Sequence, residues 1–260
     1  MIKTWFRNIA LGVLLLLCFQ ADAHAVKNPP TLFGKANEQL KNGYYQEALT
    51  AYKKLEQNKQ WSGALFINMG ITYQRIDSLG KAKYYYLKAS RFDGTEERAK
   101  QAVEYLDNQF SHQSVKLPKL PWDVATEWLQ RRVGAPALLA WGIILLNLGI
   151  LVFISRWFFA QIPDITRNVA IGIMVLGILV IASGFYTRYI DDRYKQAVMV
   201  TEQSPVLEKP EKESTLISQS FEGYTFTVDE YKSQSKSGWS YVRMSNGLYG
   251  WIPNTKILIL

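Results

Sequence analysis

The sequence predicts a multidomain membrane protein: α-helical repeats first, then two transmembrane helices, then a small C-terminal β-barrel. Three observations carry this expectation. Residues 27–110 repeat themselves at a spacing of 34 residues, the mark of stacked helical units. Two charge-free apolar runs follow, Ala135–Ser155 and Val169–Thr187, each near the ~20 residues that cross a bilayer. From Ala197 onward the pattern shifts to short alternating segments divided by Gly- and Asn-bearing turns, which is how antiparallel strands read.

Composition narrows the function classes. The formal charge of +8 is spread through the N-terminal half and beside the apolar runs, as at Arg131 and Arg132, rather than gathered into one basic stripe, so nucleic acid is not expected as a partner. Cys18 is the only cysteine and His24 and His112 the only histidines, which excludes a disulfide framework and a Cys-based metal site. The chain has no nucleophile elbow, phosphate-binding glycine loop or paired catalytic carboxylates. Asp229-Glu230 reads as a solvated strand end. The expectation is a protein that is not an enzyme and uses no cofactor or metal.

The first 25 residues read as a signal peptide: Lys3 and Arg7, an apolar core from Ile9 to Phe19, then Ala21-Asp22-Ala23-His24-Ala25, with cleavage after Ala23 or Ala25. Lipid attachment at Cys18 is disfavoured because Leu17, not a small residue, precedes it. The spans, 135–155 and 169–187, are bracketed by Arg132, Arg156, Arg167 and Arg188, with Trp141, Trp157 and Tyr186 as interfacial aromatics. Asn147 is the one amide inside a span, and Gly172, Gly177 and Gly184 permit close helix contact. An exported N-terminus followed by two spans places residues 156–168 in the cytoplasm. Both soluble domains then lie on the periplasmic side of the inner membrane.

Within residues 28–110, Ala36 recurs as Gly70, Ala48 as Ala82, Tyr52 as Tyr86 and Leu55 as Ala89. The pattern resembles the tetratricopeptide repeat: Gly70, Tyr73, Ala82, Tyr86 and Ala89 match in one copy, and Ala36, Gly43, Tyr45, Ala48 and Tyr52 in the other. Pro29-Pro30-Thr31 opens the first helix. Thr95 is expected to cap a further helix, with Glu96 and Glu97 in its first turn, that covers the end of the stack. The resemblance implies a concave partner-binding surface lined by Phe33, Asn37, Leu40, Ile67, Asn68, Ile71 and Arg75. Phe33 stands where a carboxylate-gripping member would have lysine, so an apolar ligand face is expected. Each apolar member serves either to bind or to pack.

Residues 111–134 form a linker, either plain or with an interfacial helix over 122–132 that sets Trp122 and Trp128 at the membrane surface. In 197–260 the expected strands cover 197–200, 205–206, 215–217, 224–228, 239–243 and 248–253, with Asn246-Gly247 as a hairpin turn. This order resembles the bacterial SH3-like domain. The resemblance implies a groove holding Trp239 and Pro253, although Lys256 replaces a groove tyrosine, and Trp251 is expected to pack the barrel interior.

The whole order of signal, repeats, two spans and SH3-like domain resembles the E-type (BatE-like) proteins of the Bacteroides aerotolerance group. That resemblance implies a membrane-anchored periplasmic adaptor in an envelope complex linked to oxygen tolerance, with von Willebrand A-domain membrane proteins as partners. The competing expectation is a cell-wall protein that binds peptidoglycan through its SH3-like domain.

Overall fold

The structure, a computed structural model, describes residues 31–112, 117, 124, 128–129, 133–158 and 165–260. The signal segment 1–25, Pro29, Pro30, Arg131, Arg132 and most of the expected interfacial helix over 122–132 lie outside the described residues, as does part of the loop 156–168. The chain divides into two compact units between Gln60 and Trp61.

The first unit holds the helical hairpin α1 (Leu32–Lys41) and α2 (Tyr45–Gln57). Thr31 caps α1, its hydroxyl accepting from the Gly34 amide at 3.1 Å. Gly43 turns the chain with φ +83°, where a side chain would be strained. Ala36, Ala48 and Tyr52 are fully buried, and the Tyr52 hydroxyl donates to Asn37 Oδ1 at 2.8 Å.

The second unit opens with α3 (Gly63–Arg75), α4 (Leu79–Ala89) and α5 (Glu96–Asp107). Gly70 and Ala82 let α3 and α4 close up: a Cβ at Gly70 would lie 2.5 Å from the Tyr86 ring. Thr95 stands at the N-cap position of α5 as expected, but its side chain makes no capping bond. Its hydroxyl donates back to the carbonyls of Ala89 (3.0 Å) and Phe92 (3.2 Å), tying off the preceding turn, while Glu96 and Glu97 do stand in the first turn.

Two long apolar helices follow, α6 (Gly134–Phe158) and α7 (Ile165–Arg193), both long and apolar enough to cross a membrane. Only 17% of each apolar window is buried, unlike the core helix of a soluble domain. They pack along a seam of small residues. A Cβ at Gly177 would sit 2.7 Å from the Leu146 amide nitrogen, and one at Gly149 2.9 Å from that of Met174, so backbone meets backbone.

The C-terminal part is one antiparallel sheet of β1 (Tyr194–Met199), β2 (Gln203–Leu207), β3 (Leu216–Phe221), β4 (Thr225–Asp229), β5 (Trp239–Met244), β6 (Tyr249–Pro253) and β7 (Ile257–Ile259). Their order is β3-β2-β6-β5-β4-β1-β7. Where the sequence suggested a barrel, the edge strands β3 and β7 are not paired with each other among the described residues, so the sheet does not close. The inward face holds Ala197, Met199, Val206, Phe226, Val228, Val242, Met244, Ile252 and Ile257. Asn246-Gly247 forms the expected tight turn, with Gly247 at φ +88° and the Met244 amide donating to the Leu248 carbonyl at 2.8 Å. Strand β1 begins three residues before the expected boundary at Ala197, directly where α7 ends.

That junction is braced. The Arg193 guanidinium donates twice to Asp229 Oδ2, at 2.8 and 3.1 Å. Asp229 Oδ1 also caps the short helix α8 (Glu230–Ser233) through the Lys232 amide at 3.1 Å. Burial disfavours ionising Asp229, yet the Arg193 hydrogen bond and the Lys232 amide outweigh it and hold its carboxyl below the ordinary range. Asp229 is therefore a buried structural anchor, not the solvated strand end expected.

Helix α4 is docked on the sheet. A Cβ at Gly80 would lie 2.5 Å from the Met199 carbonyl oxygen, and the Gly80 amide donates to Glu222 Oε1 at 2.7 Å. Lys83, 4% exposed, reaches Asp107 Oδ1 at 2.5 Å and the Gly223 carbonyl at 2.6 Å. The Tyr84 hydroxyl donates to the carbonyl of Ile259 on the edge strand β7 at 3.3 Å. His112 stacks on Phe221 at 3.8 Å.

Glu222 makes this docking pH-sensitive. Burial raises its pKa, Asp77 and Glu202 add to the rise, and the Gly80 amide and Lys81 oppose it. A carboxyl whose folded pKa is raised favours folding below its unfolded pKa, and that contribution fades as pH climbs through the folded value. Glu222→Gln keeps the acceptor for Gly80 and removes the charge. Thermal unfolding of the full chain in detergent should show wild type gaining stability relative to Glu222→Gln as pH falls from neutrality into the carboxylate range. A difference constant with pH would contradict this.

Candidate partner-binding site

A groove of about 620 Å³ opens on the helical part of the second unit. Helix α3 contributes Ile71, Gln74 and Arg75 on one wall, and Tyr105 in the last turn of α5 with Gln109 just beyond it form the other. Asp77 and Leu79, in the α3–α4 turn, complete the lining. Asp77 is left-handed, with φ +57°, a conformation that aspartate tolerates better than most residues. Arg75 is solvent-exposed and Tyr105 is 58% exposed, so a cation and an aromatic edge are both presented. Tyr86 lies beneath, its hydroxyl donating to Gln74 Oε1 at 2.9 Å. Burial pushes the Tyr86 phenol up to about 12, against the pull of Arg98 and Arg75. The groove is thus apolar at Ile71 and Leu79 and polar at its rim. This division suits a peptide segment with one anchoring apolar side chain and a carboxylate or carbonyl for Arg75.

The residues expected to bind divide clearly. Ile71 and Arg75 line the groove. Ile67 is only 2% exposed and is a packing residue. Asn68 is half-buried on α3, its carbonyl accepting from the Thr72 hydroxyl at 2.6 Å. Phe33, Asn37 and Leu40 belong to the first unit, all half-buried. There the Phe33 ring leans on Tyr52 at 6.1 Å and Asn37 accepts the Tyr52 hydroxyl, so both serve the hairpin interior. Gln74, Asp77, Leu79, Tyr105 and Gln109 were not singled out from sequence. Tyr105 lies in the last turn of α5 and Gln109 in the turn after it, a segment that read only as a cover for the stack.

A second surface lies on the outward face of β5 and β6. Trp239 and Pro253 face each other across the strands, and Tyr241 pairs with Trp251. Tyr241 meets Trp251 edge-on at 5.2 Å and stacks with Tyr249 at 6.1 Å. Lys232 Nζ sits 4.2 Å above the Tyr241 ring, and the Arg243 guanidinium 5.6 Å from Tyr249. Trp251, expected inside, is half-buried on this outer face, because strand alternation gives the interior to Gly250 and Ile252. Gly250 leaves no choice there: a Cβ would meet the Leu207 carbonyl oxygen at 2.8 Å.

Among the described residues, no group of three His, Cys, Asp or Glu side chains could hold a metal ion. Comparison with protein-family models and with curated proteins finds no match.

The two tryptophan-strand positions differ in what they hold together. Ile252→Ala should cost about 2–5 kcal/mol through the cavity it leaves in the core. Trp251→Ala should cost about 1–2 kcal/mol, the worth of an edge-on aromatic pair and partial burial. Denaturant unfolding of the two variants checks the order, and the reverse order would place Trp251 in the core.

Proposed function

We propose that the chain is a membrane-anchored adaptor, its helical part built of tetratricopeptide repeats and its C-terminal sheet of the SH3-like class. It presents the α3–α5 groove to other envelope proteins and catalyses nothing itself. The groove carries this reading: Arg75 and Tyr105 stand exposed around an apolar floor, on a unit tied to two membrane-length helices. The repeat assignment is supported by the burial of Ala82, Tyr86 and Ala89 and by the contact of Gly70 with Tyr86. The resemblance to the BatE-like proteins makes von Willebrand A-domain membrane proteins the first partners to test, and oxygen tolerance the process. Affinity purification of the full chain from membranes should lose its partners when Arg75→Ala and Tyr105→Ala are combined, at roughly 2 kcal/mol for each anchor lost. Both side chains are exposed, so the fold should persist.

The outer aromatic face of β5 and β6 favours a second reading, peptidoglycan binding through the sheet, since sugar rings stack on such faces. Retention of partners by the Arg75/Tyr105 variant, with loss of sedimentation on purified cell wall by Trp239→Ala/Tyr241→Ala, would select it.

We also place both soluble parts on the periplasmic side of the inner membrane. Docking of α4 against the sheet supports a shared side, because the two spans lie between them in the chain. Cysteines at Lys59 and Lys236, in a Cys18→Ser background, should both react with an impermeant reagent in spheroplasts. Reaction at only one of them would overturn the topology.

A further inference from the structure

We propose that α6 pairs with α6 of a second copy of this chain inside the membrane, in a register set by Asn147. The inference rests on reading α6 as a membrane span.

Helix α6 has two distinct faces. One carries Gly142 and Gly149 and is closed against α7, where added Cβ atoms would meet the backbone nitrogens of Ile181 and Met174 at 2.9 Å. The opposite face is open. Ile144 is 53% exposed and Leu151 65%. Ala140, Ile144, Asn147, Leu151 and Ile154 succeed one another at spacings of four and three residues, the seam pattern of a helix pair. Asn147 stands in the middle of that seam and is exposed.

In hydrocarbon an amide in this position is costly unless another polar group meets it. Asn147 Nδ2 donates to the Ile143 carbonyl of its own helix at 2.8 Å. Among the described residues, Oδ1 and the second N–H have no protein partner. A second copy answers this requirement more simply than any other helix. A carboxamide is both donor and acceptor, so two of them can bond reciprocally. Copies inserted in the same orientation hold Asn147 at the same depth automatically, whereas an unrelated helix would need its own polar residue there. One asparagine in an otherwise apolar seam fixes register and strand number.

The test uses full-length protein in its native membrane, in a Cys18→Ser background. Carbonate extraction comes first: release into the soluble fraction would overturn the membrane reading, and the pairing with it. In retained protein, Ile144→Cys and Leu151→Cys should form disulfide-linked dimers on mild oxidation. Leu179→Cys on α7, 59% exposed, should not. Adding Asn147→Leu to Leu151→Cys should weaken pairing about three- to twentyfold, the range for a polar contact between membrane helices. Asn147→Gln, which keeps the carboxamide, should restore it. Retention in the membrane without cross-linking at 144 or 151, equal cross-linking at 179, or indifference to Asn147→Leu would each overturn the proposal.

Discussion

The buried ammonium of Lys83 is the constraint on which the second unit depends. It lies on α4, bonds the Asp107 carboxylate at the end of α5, and bonds the Gly223 carbonyl in the turn between β3 and β4. One side chain thus joins three elements, one of them 140 residues away in sequence. A cation this deeply buried is tolerable only with its donors satisfied, and removing a partner would strand a charge in a low-dielectric interior. The surrounding fit is equally demanding: Gly80 touches the backbone of β1, and Phe110 lies against Gly223.

From Lys83 the contacts run without a break to the long apolar helix α7. Strand β1, on which α4 rests, begins at Tyr194, immediately after the last residue of α7. Arg193 fastens that helix end to Asp229, and Tyr189 on α7 meets Tyr231 on α8 edge-on at 6.1 Å. The groove helices, the sheet and the end of α7 are therefore coupled through specific polar contacts. On the proposed adaptor reading, a partner bound in the groove would be held at a fixed disposition to the two long apolar helices. The ordering entropy that a free linker would lose on assembly is already absent.

Local features were legible in the sequence wherever a local rule decides them. The helix pairs follow from the small-residue pattern, the two long apolar helices from charge-free length, and the β5–β6 turn from Asn246-Gly247. Ile71 and Arg75, which share a face in the register of α3, both line the groove. What the sequence hid was long-range. Lys83 reads as an ordinary exposed lysine on an amphipathic helix, and nothing near it announces Gly223 or Asp107. Asp229 hid in the same way, its partner Arg193 lying 36 residues earlier. Trp251 was misplaced because size suggests the core, whereas strand alternation is fixed by the neighbour that cannot move, and Gly250 is that neighbour. For Ile67 the sequence left binding and packing open, and its burial gives it to packing: helical register names a face, but which residues of that face stay open depends on what packs over them.

The small number of stacked helices gives the Lys83 contact its wider meaning. Helical repeats bury their apolar faces against their neighbours, and fewer than three leave a face uncovered. Only two copies are legible here, followed by α5. In the second unit a flank of α4 is covered by the sheet. Gly80 permits the approach, Glu222 accepts the Gly80 amide, and Tyr84 bonds the carbonyl of Ile259. The same contact shields β7, an edge strand whose unpaired groups would otherwise invite association. Each part thus closes a surface that the other cannot close alone. The helical groove and the aromatic face of β5 and β6 consequently belong to one folded unit, and a substitution that undocks α4 should disturb both.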